Sequence, residues 1–113
     1  MRSAFTVLIV GLVASLVAVG AASAADPRPE IALTIDKDQF QPAEIKVKAN
    51  TPFTVVVTNK NAKPIEFESK DLRVEKVVPP GKTVKVLIRA LKPGTYAFFD
   101  DFNKAATGKI VAE

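Results

Sequence analysis

Hydrophobic and polar side chains alternate with a period of two through most of the chain after Ala25, the spacing of β-strands with one buried face. Segment 31–36 places isoleucine and leucine at every second position, and segment 83–89 repeats the pattern with two valines and an isoleucine. No segment shows the period of a helix. The pattern predicts strands at 31–36, 45–48, 53–58, 65–68, 72–78, 83–89, 95–99 and 108–112.

Clusters of Pro, Gly, Asn and Asp separate these segments and predict tight turns. They lie at 36–38, 50–52, 59–61, 79–81 and 92–94. Seven to eight short strands joined by such turns predict an all-β protein, a Greek-key β-sandwich. The aromatic residues expected to fill the space between its sheets are Phe40, Phe53, Phe67, Tyr96 and Phe98.

The N-terminus has the three parts of a secretory signal peptide. Arg2 precedes an uncharged stretch from 3 to 25, which ends in the small residues 22–24. We therefore expect a cleaved signal peptide at 1–24 and one exported mature domain at 25–113. An uncleaved membrane anchor is the alternative, because an apolar stretch of roughly 18 residues or more can span a bilayer. The small residues favour cleavage.

Composition removes most metal and catalytic chemistries. The chain has no Cys and no His, so disulfides, zinc sites, Cys or Ser-His catalysis and thiolate copper sites are excluded. A net charge of +4 is modest, and the lysines are dispersed rather than clustered. We therefore expect no nucleic acid, and no DNA, as a partner. Any metal must be held by oxygen donors, chiefly carboxylates.

Two acidic motifs are the candidate ligands. Glu66 and Glu68 stand at i and i+2 on a predicted strand, so their side chains share one face. Asp100 and Asp101 are adjacent and flanked by phenylalanines, where two carboxylates repel each other unless a cation or hydrogen-bond donors compensate. The simpler alternatives are a solvated strand surface for the glutamates and side-chain capping of a turn for the aspartates.

The chain resembles the cupredoxins. Gly94 to Phe99 matches the approach to their closing ligand loop, and 108–111 matches their last strand. Aligned on that pattern, Asp100 takes the position of the Cys ligand, Asn103 that of the second His and Ala106 that of the Met. None of these can form a blue-copper site, because that site needs thiolate and imidazole.

The position of the first His ligand in that alignment falls at Ile65 or Glu66, and the spacing does not decide between them. A narrower resemblance is to the cupredoxin-like domains of bacterial ferrous-iron uptake systems, of the EfeO and FtrB types. Its motifs are 66–69, 71–77, 80–81, 94–96 and 98–102.

That resemblance implies periplasmic binding of iron, with copper as a second metal, and oxidation of Fe(II) to Fe(III) before uptake. The implied partners are an inner-membrane iron permease and a periplasmic iron-binding protein. Hard carboxylate ligands favour Fe(III) over Fe(II), which fits such a role. Two further interpretations are a carrier that binds metal without turnover and a metal-free sandwich that binds another protein.

The resemblance also implies a ligand set. We expect Glu66 and Asp100 to bind the metal directly at the end of the sandwich, with Glu68 and Asp101 as further ligands or nearby negative charge. Strand alternation points Asp100 and Asp101 to opposite faces, so two cation sites are an alternative, the second using Asp101 with Glu68 or Glu75. Glu75 would otherwise be a strand carboxylate paired with a neighbouring basic residue.

Overall fold

The computed structural model describes residues 28–113, so the expected signal peptide at 1–24 lies outside the described residues. Within the described part, nine β-strands form the domain. They are β1 (Glu30–Asp36), β2 (Gln39–Gln41), β3 (Glu44–Val47), β4 (Phe53–Asn59), β5 (Ile65–Ser69), β6 (Val74–Val78), β7 (Thr83–Ile88), β8 (Gly94–Asp100) and β9 (Asn103–Ala112). None of the elements between residues 28 and 113 is an apolar helix of bilayer-spanning length.

The strands form two sheets packed face to face. One has the order β2-β1-β4-β7, and the other has the order β3-β9-β8-β5-β6. Two strand pairs are parallel, β1 with β4 and β3 with β9, so the chain crosses repeatedly between the sheets. This confirms the predicted all-β two-sheet sandwich.

Strand alternation follows the hydrophobic pattern that predicted it. In β1, Leu33 and Ile35 are buried and their neighbours are less so, and in β7 Val86 and Ile88 are buried while Lys85 and Leu87 are exposed. In β4 both faces are largely covered. The period of two therefore located the face of each strand that meets the other sheet.

Three differences from the predicted strands exceed one residue. The turn at 36–38 closes a two-residue hairpin that creates β2, with positive φ at Lys37 and Asp38 as a type I′ turn requires. Strand β6 begins at Val74 because Leu72 is buried in the preceding turn. Strand β9 begins at Asn103, earlier than expected, because it pairs with the end of β8 through an irregular register.

An aromatic cluster fills the centre of the core. The rings of Phe40 and Phe98 are 5.1 Å apart and those of Phe67 and Phe98 are 5.2 Å apart, centroid to centroid. Phe98 is paired across the sheet with Gly108, where a Cβ atom would overlap the Phe98 ring. All five predicted aromatic residues pack in or against this core, Tyr96 being half-buried.

Candidate metal centre

Strand β5 presents its two glutamates on the outer face of the five-stranded sheet. Ile65, Phe67 and Ser69 point inward and are at most 1% exposed. Glu66 and Glu68 lie between them in sequence and therefore point outward, as the i, i+2 spacing predicted. Although it faces outward, the Glu66 side chain is covered by its neighbours and only 8% of the residue is exposed.

The two aspartates at the end of β8 point to opposite sides of the sheet. Asp100 is 2% exposed on the inner side, where one of its oxygens accepts backbone N–H groups from Glu66 at 2.9 Å and from Phe102 at 3.0 Å. Asp101 lies on the outer side and its backbone N–H donates to the carbonyl oxygen of Glu66 at 2.9 Å. The strand alternation that separated the two aspartates in the sequence analysis is confirmed.

Three of the four candidate carboxylates converge. One oxygen each from Glu66, Glu68 and Asp101 lies within 4.8 Å of the other two. The cluster spans β5 and the β8–β9 turn, which the hydrogen bond from Asp101 N–H to Glu66 holds side by side. In an octahedral shell with bonds of about 2.1 Å, adjacent ligand oxygens are about 3.0 Å apart and opposite ones about 4.2 Å, so rotation of these side chains toward one another would bring the three oxygens into one shell.

The neighbouring carboxylates make Glu66 reluctant to ionise. Its pKa rises from 4.5 to about 7, first because of a hydrogen bond with the Glu75 carboxyl, then because of desolvation and the charges of Glu75, Asp101 and Glu68. The Oε1 atom of Glu66 is buried and has no hydrogen-bond partner among residues 28–113. A buried oxygen without a donor is costly, and a bound cation would compensate it.

Glu68 responds to the same surroundings. Desolvation raises its pKa first, and the charges of Asp101 and Glu75 raise it further, while Lys70 lowers it. A second lysine is near, since the Nζ atom of Lys104 lies 3.7 Å from an oxygen of Asp101. The carboxylates therefore make the centre of the cluster negative, and the two lysines at its edge partly balance that charge.

Asp100 occupies a different place from the other three acids. It lines a depression of about 280 Å³ at the end of the sandwich, together with Ile65, Phe102 and Asn103. Ile65, Asp100 and Asn103 are positions that the resemblance aligned with cupredoxin ligands. Ile65 lines the depression with Asp100, whereas Glu66 contacts Asp100 through its backbone N–H and does not line it. We expected Glu66 and Asp100 to share one site at this end of the sandwich. Strand alternation instead places the Glu66 side chain on the outer face of the sheet and the Asp100 side chain on the inner face.

Side chains that the sequence analysis did not single out hold the cluster's strands in place. Asp71 accepts the backbone N–H of Ala97 at 3.1 Å, and the Ser69 hydroxyl donates to the Ala97 carbonyl at 2.6 Å. They continue the contact between β5 and β8 beyond its short ladder. Ser and Asp are common near turns, so the sequence alone does not show that these two residues bond to a distant strand.

A third such residue, Asn59, fixes the loop before β5. Its side-chain nitrogen donates to the carbonyls of Lys63 at 2.8 Å and Val78 at 3.0 Å, and its side-chain oxygen accepts the N–H of Asn61 at 2.8 Å. Asn59 is completely buried. The sequence analysis placed it in a turn but gave it no such role.

Comparison with known proteins shows which family this fold belongs to. The model of the cupredoxin-like domain family matches residues 7–112. The chain belongs to this family. The cupredoxin-like protein is also 35% identical over 83 residues to an uncharacterised protein of Rickettsia prowazekii (strain Madrid E), a match that covers 73% of this chain and 66% of that relative.

Solved cupredoxin-type structures have the same fold as this cupredoxin-like protein. Auracyanin B superposes with a TM-score of 0.69 at 14% identity, covering 79% of this chain and 91% of that one. Amicyanin from Paracoccus versutus gives a TM-score of 0.61 at 17% identity, covering 82% and 89%. A chain of a heme-copper terminal oxidase dimer gives 0.65 at 19%, covering 77% and 66%. At these identities the similarity establishes the fold.

The donor set fits a hard cation. Carboxylate oxygens suit Mg²⁺, Ca²⁺, Mn²⁺ and iron, whereas a blue-copper centre needs thiolate and imidazole, which this chain lacks. The partnerless oxygen of Glu66 points to the same conclusion from the structure. The cupredoxin-like sandwich therefore carries a possible metal site made of carboxylates, on the outer face of a sheet instead of at the end of the sandwich.

Proposed function

We propose that this cupredoxin-like protein binds iron through Glu66, Glu68 and Asp101 and acts in bacterial iron import, in the manner of the EfeO and FtrB types. In this proposal the exported domain holds iron in the periplasm, assists the oxidation of Fe(II) to Fe(III) and delivers it to an inner-membrane iron permease. A periplasmic iron-binding protein is a further partner, and Cu(II) is the alternative metal.

The observation that carries the proposal is the buried, partnerless oxygen of Glu66 within a cluster of carboxylates. Surface acids usually separate and face water, where each keeps its hydration. Here the side chains converge, and a hydrogen bond with Glu75, desolvation and the neighbouring negative charges raise the pKa of Glu66 to about 7. A di- or trivalent cation removes both the repulsion and the desolvation penalty.

Oxygen ligands also explain why oxidation would be assisted. Hard anionic donors stabilise Fe(III) more than Fe(II), so iron held by carboxylates loses an electron more readily. Carboxylates cannot accept that electron themselves. Dioxygen is the acceptor we propose: four Fe(II) ions, one O₂ and four protons give four Fe(III) ions and two water molecules. Bound Cu(II), which takes one electron from each Fe(II) to become Cu(I), is the alternative.

A carrier without turnover is the second candidate function. All three donors are redox-inert carboxylates, so the cluster can hold iron without any reaction following. A metal-free interaction module is the third, and the contact between Lys104 and Asp101 favours it because an internal cation already balances one carboxylate.

Anaerobic calorimetry with Fe(II), followed by oxygen-uptake measurements, separates these functions. We expect Glu66→Gln and Asp101→Asn each to weaken iron binding by about tenfold or more, because each removes a charged ligand. Glu30→Gln is the matched control, since Glu30 is an exposed acid on the other sheet that pairs with Lys85 at 2.8 Å. It should bind iron as the unaltered protein does.

The outcomes are distinct. Binding with faster oxygen uptake than Fe(II) in buffer supports the oxidising function. Binding with the buffer rate supports the carrier. Absence of binding, or equal binding by the cluster variants and the control, contradicts an iron site at Glu66, Glu68 and Asp101.

A further inference from the structure

Glu75 lies on the edge strand β6, beside the carboxylate cluster. It is paired directly with Glu68 across the antiparallel β5–β6 ladder, which is continuous from Ile65 paired with Val78 to Ser69 paired with Val74. Directly paired residues point to the same side of a sheet, with Cβ atoms about 5 Å apart. The ladder therefore fixes Glu75 on the outer face, next to Glu68.

Glu66 stands diagonally across the ladder from Glu75, on the same face of the sheet. Diagonal neighbours on one face are about 7–8 Å apart, within reach of long side chains such as glutamate. Two glutamates at such a distance repel each other when both are ionised, and like charges facing each other across strands destabilise a sheet. A cation bound between them removes this repulsion.

Ion pairing within residues 28–113 does not explain the position of Glu75. In the sequence analysis, the alternative role of Glu75 was to form an ion pair with a neighbouring basic residue. The ion pairs within residues 28–113 do not include it. Its side chain is exposed and free to turn. Glu66, whose Oε1 atom is buried without a hydrogen-bond partner among residues 28–113, belongs to the carboxylate cluster beside Glu75.

We propose that Glu75 is a fourth ligand, which turns in when a hard cation binds to Glu66, Glu68 and Asp101. This inference rests on the proposed metal site and adds a residue to it. Three carboxylates on β5 and the β8–β9 turn approach the cation from one side, and β6 brings an oxygen from the other. A fourth charge raises selectivity for trivalent over divalent ions, because the affinity of such sites follows ligand charge.

Eu(III) luminescence tests the proposal, since the excited-state lifetimes in H₂O and D₂O count the water molecules bound to this hard trivalent ion. The unaltered protein should bind Eu(III), and Glu75→Ala should admit about one more water, because a protein oxygen is replaced. Its Eu(III) affinity should fall by about tenfold or more. Glu44→Ala is the control, an exposed acid on the same sheet that pairs with Lys109 at 3.5 Å.

Two results would overturn the proposal in different ways. If Eu(III) binds but Glu75→Ala and Glu44→Ala retain the same number of bound waters as the unaltered protein, Glu75 is not a ligand and the three-residue site stands. If Eu(III) does not bind to the unaltered protein, the metal site itself is contradicted. Position 75 is exposed on an edge strand, so the Ala variant should fold.

Discussion

At the scale of single residues, Glu66 gives the metal-free protein a definite dependence on pH. Its pKa is about 7 in the folded protein against an ordinary value of 4.5, so between these values the folded state holds a proton that the unfolded chain has released. The free energy of unfolding should therefore fall as pH rises through this range. Glu68, whose pKa is also raised, acts in the same direction.

Urea denaturation at pH 5 and pH 8 without metal measures this effect. Stability should be greater at pH 5, and Glu66→Gln should reduce the difference, because an amide does not titrate. An equal difference in both proteins would show that Glu66 is not the group responsible. Added metal should oppose the trend, since its ligands must be deprotonated.

Asp100 provides a residue-scale test of which aspartate binds metal. An amide oxygen can accept the same two N–H bonds that Asp100 accepts from Glu66 and Phe102. We expect Asp100→Asn to fold and to keep its iron affinity within about threefold, because only hydrogen bonds to the backbone are at stake. Calorimetry beside Asp101→Asn checks this. A tenfold loss in Asp100→Asn alone would return Asp100 to the ligand set.

Lys104 should compete weakly with the metal for Asp101. The side chain of Lys104 is 75% exposed and its Nζ lies 3.7 Å from the carboxylate, so the ion pair is worth no more than about 1 kcal/mol. Lys104→Met should tighten metal binding by less than about fivefold, most clearly at low salt. Weaker binding in titrations of this variant would mean that Lys104 supports the site.

At the scale of elements, β8 and β9 depend on a glycine. A side chain at Gly108 would overlap the Phe98 ring and lie 3.0 Å from the carbonyl oxygen of Ala43. Gly108→Ala should lower the free energy of unfolding by about 1–3 kcal/mol, the usual cost of overpacking. Ala105→Ser, an exposed change on the same strand, should stay within about 0.5 kcal/mol in the same denaturation experiment. Equal stability of the two variants would contradict this packing.

The sequence predicted elements well where one face of a strand is buried. Leu33 and Ile35 show the period of two directly, and the turn clusters mark most strand ends. It missed β2 because Gln39 to Gln41 is too short to show a period, and it began β9 late because the irregular register after Phe99 has no local signature.

The sequence identified the residues of the candidate site, but it did not predict how they come together in space. Alternation alone separated Asp100 from Asp101 and paired Glu66 with Glu68. The convergence of Asp101 with the glutamates depends on which strands are neighbours, and the role of Asn59 depends on a contact with Val78. Contacts between residues distant in sequence are not encoded in local patterns.

At the scale of the whole molecule, the acidic residues lie in two separate regions of the cupredoxin-like sandwich, whereas the sequence comparison with cupredoxins placed them in one site. The end of the sandwich holds Asp100 with Ile65 and Asn103, while the carboxylate cluster lies on the outer face of the five-stranded sheet. This cupredoxin-like fold, which has no Cys or His, thus carries its carboxylate cluster on a neighbouring surface. The core around the buried Phe98 supports both regions.

The thermal midpoint of the purified protein, measured metal-free and with Fe(II) under anaerobic conditions, tests the central claim most directly. A metal that binds only the folded state must raise the midpoint. We expect a clear rise for the unaltered protein and none for the variant that combines Glu66→Gln, Glu68→Gln and Asp101→Asn. An equal rise in both, or none in the unaltered protein, would contradict a metal site at these three carboxylates.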